Sequence, residues 1–151
     1  MQVPHNAFVV VADGRKMLFL RNEGDAAAPN LKVAKKRIDR NPPDHDQASD
    51  LAGRMQSTRA DGTAWASGGN VDNTDFHQLE ENRFAAETAG LLNDWAMRDE
   101  FEALIVVAPP KTLGELRRHY HHEVSRRLAG EIDKDLTDHS IPEIEVALLK
   151  S

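Results

Sequence analysis

At 151 residues, 40% apolar and 29% charged, the chain is long enough for one domain with a real core and too short for two comfortable ones, and its composition excludes a fibrous or wholly disordered architecture. The absence of cysteine excludes disulfides, thiolate metal sites and a cysteine nucleophile, so stability must come from packing. With 25 acidic against 19 basic residues the net charge is -6, so the molecule as a whole repels nucleic-acid backbones and any RNA contact must be local.

A single domain over residues 1–151 is expected. No apolar run approaches the roughly 18 residues needed to cross a bilayer, and Met1 to Asn6 lacks the basic and apolar regions of a signal peptide. A cytoplasmic protein without membrane insertion follows as the expectation.

The continuous apolar run Ala7 to Ala12 predicts a strand covered on both faces, and Asp13-Gly14 is a hairpin signal leading to a second strand at Met17 to Leu20. Asn22 to Asn30 interrupts the pattern. Leu31 to Ile38 then carries Lys32, Lys35 and Lys36, a charge load suited to an exposed edge strand. Residues 39–74 are poor in large apolar side chains and predict a long loop, functional or mobile. Asp75, with Gln78 three residues on, marks a helix start, and Phe84, Leu91, Leu92 and Trp95 recur on one face of a helix over 76–98. Gly90 inside it costs about 1 kcal/mol relative to alanine and suits a close approach of the sheet. Ala103 to Ala108 reads as a buried, parallel strand halted by Pro109-Pro110. Thr112 and Glu115 form a capping box for a helix over 112–125, whose buried face is Leu113, Leu116, Tyr120 and Val124. A last strand at 128–132 and a helix from about Pro142 to Leu149 complete the order βββαβαβα.

Four blocks carry a resemblance: VVADGRKMLFLRNEGDAAAPNLKV, DFHQLEENRFAAETAGLL, IVVAPPKTLGELRRHYHHEV and EIDKDLTDHSIPEIE. They resemble, in order, the signatures of the bacterial host-attachment protein family, whose name describes a phenotype and specifies no molecular activity. A deeper similarity is to the middle domain of archaeal and eukaryotic peptide-chain release factors and their Pelota-like relatives. This resemblance implies an α/β fold of ribonuclease H type, a mixed five-stranded sheet with flanking helices. In release factors a Gly-Gly-Gln tripeptide on a loop before the long helix helps hydrolyse peptidyl-tRNA. Here Gly68, Gly69 and Asn70 stand at the matching place, with asparagine for glutamine.

Each candidate group has a plain structural explanation beside its functional one. Consecutive glycines let a backbone approach a bulky partner, and the Asn70 amide could orient a water at an ester; otherwise Gly68-Gly69-Asn70 is a loop tip. Asp72, Asp75 and His77 could gather about a divalent ion or water, or Asp75 simply caps the helix. Of His119, His121 and His122, only His119 and His122 have a helical spacing that could share an ion. Arg117, Arg118, Arg126 and Arg127 make a basic helix face, solvated or RNA-binding, and Lys111 and Thr112 lie where a helix N-terminus could hold a phosphate. Asp13 is explained by the hairpin turn, and no Walker loop, nucleophile elbow or dinucleotide fingerprint is present.

No metal and no cofactor is expected. Three functions remain open: a release-factor-like module contacting ribosome or tRNA through the Gly68-Gly69-Asn70 loop and the arginine face, with or without hydrolysis of a peptidyl-tRNA-type ester; a cytosolic protein-interaction or regulatory module supporting attachment to host cells; and a hydrolase using the Asp75/His77 corner.

Overall fold

The computed structural model describes the backbone of residues 1–38 and 63–151, and the side chains of residues 1–36 and 76–151. Its strands are β1 (Phe8–Ala12), β2 (Lys16–Asn22), β3 (Leu31–Ile38), β4 (Leu104–Val107) and β5 (Leu128–Ile132). Its helices, among the described residues, are α1 (Thr63–Met97), α2 (Pro110–Arg117), α3 (His122–Ser125) and α4 (Ile141–Lys150). The strands form one mixed sheet in the order β3-β2-β1-β4-β5. Strand β2 runs antiparallel to both neighbours, whereas β4 is parallel to β1 and β5 to β4. This is the mixed α/β sheet expected, with the single reversed strand of the ribonuclease H-like arrangement.

The central pair explains its own sequence. Every residue of β1 and β4 is buried because both faces of the sheet are covered, which is why their apolar runs do not alternate with polar residues. On one face Phe8, Val10, Leu104 and Val106 meet Phe84, Ala85, Ala89 and Leu92 of α1, Leu113 and Leu116 of α2, and Val124 of α3. On the other, Val9, Val11, Ile105 and Val107 meet Ile144 and Leu148 of α4, with Val3, Leu31 and Leu136 closing the edges. Asn22, fully buried at the end of β2, holds the turn that follows: its amide donates to the Val3 carbonyl at 2.8 Å, and its oxygen accepts from the Gly24 and Asn30 N–H groups at 2.9 and 2.8 Å.

Several expectations require correction. Helix α1 begins at Thr63, so positions 63–74 of the expected loop are helical and Asp75 lies inside the helix, not at its cap. Residues 39–62 lie outside the described residues. Glycine, asparagine and aspartate argue against helix locally, but a helix nucleated elsewhere extends at the cost of one residue per hydrogen bond, and the packed half from Phe84 to Ala96 supplies that nucleus. Gly90 does not admit the sheet: a Cβ there would meet no heavy atom within 4 Å. Close approach comes instead from Ala85, Ala89 and Ala96. Trp95 lies on the expected face and packs against the core while partly exposed, its ring edge-on to Phe8 and Phe19 at centroid distances of 5.5 and 4.5 Å.

Thr112 caps nothing. Helix α2 starts at Pro110, whose missing N–H and fixed φ suit a first turn, after Pro109 with φ -60° and ψ 155°. The expected helix over 112–125 is broken after Arg117 and restarts at His121, whose Nδ1 accepts from the Glu123 N–H at 3.0 Å. Asn93 of α1 stabilises the break, donating to the His119 carbonyl at 3.2 Å and accepting from the His121 N–H at 2.9 Å. The capping box is found at α4, where Ser140 and Glu143 bond reciprocally.

Two substitutions test the phase of α1. Gly90→Ala should stabilise the protein by up to about 1 kcal/mol, since a good helix former enters open space. Phe84→Ala should cost about 3–5 kcal/mol as a large core aromatic. Equilibrium urea unfolding measures both, and a destabilising Gly90→Ala would show that this helix face is wrongly assigned.

Candidate functional site

Parallel pairing brings the carboxyl ends of β1, β4 and β5 to one edge of the sheet, where the hairpin residue Asp13 follows β1 and the candidate residues Lys111 and Thr112 follow β4. Asp13 holds the β1–β2 hairpin, with Oδ1 accepting from the Arg15 and Lys16 N–H groups, both at 2.7 Å. Its Oδ2 accepts from the Thr137 hydroxyl at 2.9 Å, and the same hydroxyl lies 2.7 Å from an Asp135 oxygen. One hydroxyl proton serves two carboxylates, which ties the segment after β5 to the end of β1. Lys16 pairs with Asp138, and that hydrogen bond and charge hold the Asp138 carboxyl below its usual range and raise the Lys16 ammonium. Glu81 of α1 lies directly against Gly14, where an added Cβ would come within 2.7 Å of its carboxylate. Among the described residues no group of three or more histidine, aspartate and glutamate side chains is arranged to hold a metal ion.

The basic segment has a different character from the one expected. Arg117 grips Glu131 of β5 through Nη2 at 2.6 Å and Nε at 3.0 Å; Arg118 meets Glu115 at 3.0 Å; Arg126 meets Glu123 at 2.8 Å. Arg127 is buried and structural: it donates to the Phe101 carbonyl at 2.6 Å, to Asp99 at 2.8 Å and to Glu123 at 3.1 Å. Spacing along one chain segment showed four cations; it could not show carboxylates arriving from β5 and from the end of α1. His119 and His122 do not share a site, because the helix ends before His119; they lie 3.6 Å from Glu115 and Glu123 respectively. Lys111 is exposed and Thr112 half-buried in the first turn of α2.

Gly68, Gly69 and Asn70 lie within α1, and their side-chain environment, like that of Asp75, falls outside the described residues. His77 is half-buried on the same helix. At 3.6 residues per turn, positions 75 and 77 are about 200° apart around the axis, so the helix does not bring them to one corner. Positions 70, 77 and 81 instead share a face.

The Glu123 knot has a pH signature. Hydrogen bonds from Arg126 and then Arg127 lower its pKa to about 2. A carboxylate depressed on folding contributes stability that is present above its unfolded value and lost as pH falls toward the folded one. Glu123→Gln should therefore lower the melting temperature at neutral pH, and the gap to the parent should close between about pH 4.5 and pH 2. Thermal melts across that range check it; a gap independent of pH would contradict the ion-pair assignment.

The model of bacterial archaeo-eukaryotic release factor family 12 matches residues 6–148. No curated protein was found to match. The match runs from just before β1 into α4 and so takes in the whole sheet, the carboxyl edge, the arginine segment and the long helix that carries Gly68, Gly69 and Asn70. A match that spans nearly the whole chain shows the family: the chain belongs to bacterial archaeo-eukaryotic release factor family 12.

Proposed function

We propose that the protein is a release-factor-like module that contacts the ribosome or tRNA, and that it works by binding, with ester hydrolysis no necessary part. The observation that carries this reading is family membership over residues 6–148, which spans the whole fold. Two features support it. Helix α1, with 35 residues, is roughly 50 Å long, about three times the span of the five-residue β1, so its amino-terminal turns with Gly68, Gly69 and Asn70 outreach the sheet. The pairs made by Arg117, Arg118 and Arg126 are exposed on the arginine side, and exposed ion pairs contribute no more than about 1 kcal/mol. Those arginines can therefore exchange a carboxylate for a phosphate at small cost, beside Lys111 and Thr112 in the first turn of α2.

The hydrolytic reading is weaker because asparagine replaces glutamine at position 70 and because 75 and 77 diverge around the helix. A second binding reading, a protein-interaction module supporting attachment to host cells, is favoured by a net charge of -6 and by arginines already neutralised. Among the described residues no helix is long and apolar enough to cross a membrane.

Sedimentation of the purified full chain with ribosomes separates these readings. Association at low ionic strength that falls steeply with salt is expected; no co-sedimentation at any salt, with recovery of a protein partner instead, would overturn the translation reading. Gly68→Ala/Gly69→Ala sharpens the test, since two glycines in a helix interior together cost about 2 kcal/mol. The double variant should be thermally more stable yet associate more weakly, because a partner that approaches the bare backbone loses its access. Unchanged association would remove these glycines from the contact.

A further inference from the structure

We infer that the edge strand β3 is the principal RNA-phosphate contact of this domain, through Lys32, Lys35 and Lys36. The inference rests on the translation reading above and assigns to it a surface other than the arginine segment.

The two sets of cations differ in what surrounds them. Every arginine of the α2–α3 segment has a carboxylate at hydrogen-bond distance. Lys32, Lys35 and Lys36 are exposed and, among the described residues, join no ion pair. On a molecule with net charge -6 they line one exposed sheet edge with positive charge that no carboxylate pairs among the described residues, Lys32 and Lys35 toward one face and Lys36 toward the other, an edge that a polyanion can follow.

Register sets how the patch is laid out. Lys32 lies opposite Arg21, Lys35 opposite Phe19 and Lys36 opposite Leu18, with a register shift between Phe19 and Leu20. Directly opposed residues share a face, so Lys32, Lys35 and Arg21 stand on the α1 side of the sheet and Lys36 on the other. From Lys32 to Lys36 the strand spans roughly 13 Å, enough to follow several phosphates of one RNA strand. Lys35 lies 5.9 Å from the Trp95 ring and the Arg21 guanidinium 4.9 Å from that of Phe8, so aromatic rings line the base of the patch. Among the described residues no strand pairs with the outer edge of β3, and its backbone N–H groups are further donors for phosphate oxygens.

Lysines also protect sheet edges from pairing with other chains. That purpose does not account for Lys32 opposite Arg21, because like charges directly across a strand pair are destabilising. A bound phosphate backbone turns that repulsion into attraction.

The test is fluorescence anisotropy of labelled deacylated tRNA with the full chain, comparing Lys32→Gln/Lys35→Gln/Lys36→Gln with Arg117→Gln/Arg118→Gln/Arg126→Gln. The lysine variant should bind at least about ten-fold more weakly, and its log–log salt slope should shrink by about 2 to 3, as expected for three lost phosphate contacts. The arginine variant should lose less. Lys32→Arg/Lys35→Arg/Lys36→Arg should retain binding, and the glutamine variant should melt no lower than the parent, since it relieves the Lys32–Arg21 repulsion. Parent-like tRNA binding by the lysine variant, with loss confined to the arginine variant, would overturn this surface and leave the translation reading standing. Failure of the parent to bind tRNA or ribosomes would overturn both, and lysine-dependent binding to phosphatidylserine vesicles in its place would assign the patch to a membrane surface.

Discussion

The parallel pairing of β1 with β4 is the constraint on which the rest of the structure depends. A parallel pair requires a crossover, so the chain between them must carry a covering helix, and burial of both strands on both faces requires a second layer from elsewhere. Helix α1 supplies the first and α4 the second, which brings the end of the chain against its beginning: the Met1 amino group donates to the Leu148 carbonyl at 2.8 Å. Parallel strands also end together. The carboxyl edge thus collects Asp13, the start of α2 and the segment from Asp133 to Asp138, and the Thr137 hydroxyl between Asp13 and Asp135 is a consequence of that geometry.

Much of this was legible because it is local. Ala7 to Ala12 and Ala103 to Ala108 announce strands buried on both sides by lacking alternation, and the lysines of β3 announce an edge. The extent of α1 was not legible, since Gly68, Gly69, Asn70 and Asp75 each disfavour helix and the reason they are helical lies in packing that begins at Phe84. The break between α2 and α3 was equally hidden, because Asn93, more than twenty residues earlier in the chain, satisfies its backbone groups. Thr112 and Glu115 carry the spacing of a capping box, but Pro109 and Pro110 had already set the helix start.

The same distinction governs the candidate site. Residue type and spacing identify Arg117, Arg118, Arg126 and Arg127 as a basic run, yet Glu131, Glu115, Glu123 and Asp99 convert it into a network of ion pairs with one arginine buried inside it. Lys32, Lys35 and Lys36 of β3 by contrast join no ion pair among the described residues, and a sequence reading assigns them only edge protection. Tyr120 marks the same boundary between packing and chemistry: burial and the nearby Glu131 push its phenol upward, so it stays protonated and acts as part of the wall behind Arg117.

The central claim is that this family 12 domain meets the translation machinery through its own RNA-facing surface. Ultraviolet cross-linking of the full chain to purified ribosomes, with mass-spectrometric identification of the cross-linked peptides, tests it most directly. The account predicts ribosomal or transfer RNA attached to peptides covering Leu31–Ile38 and the amino-terminal turns of α1. Cross-links confined to protein partners, or RNA attached only to α4 on the opposite layer, would contradict it.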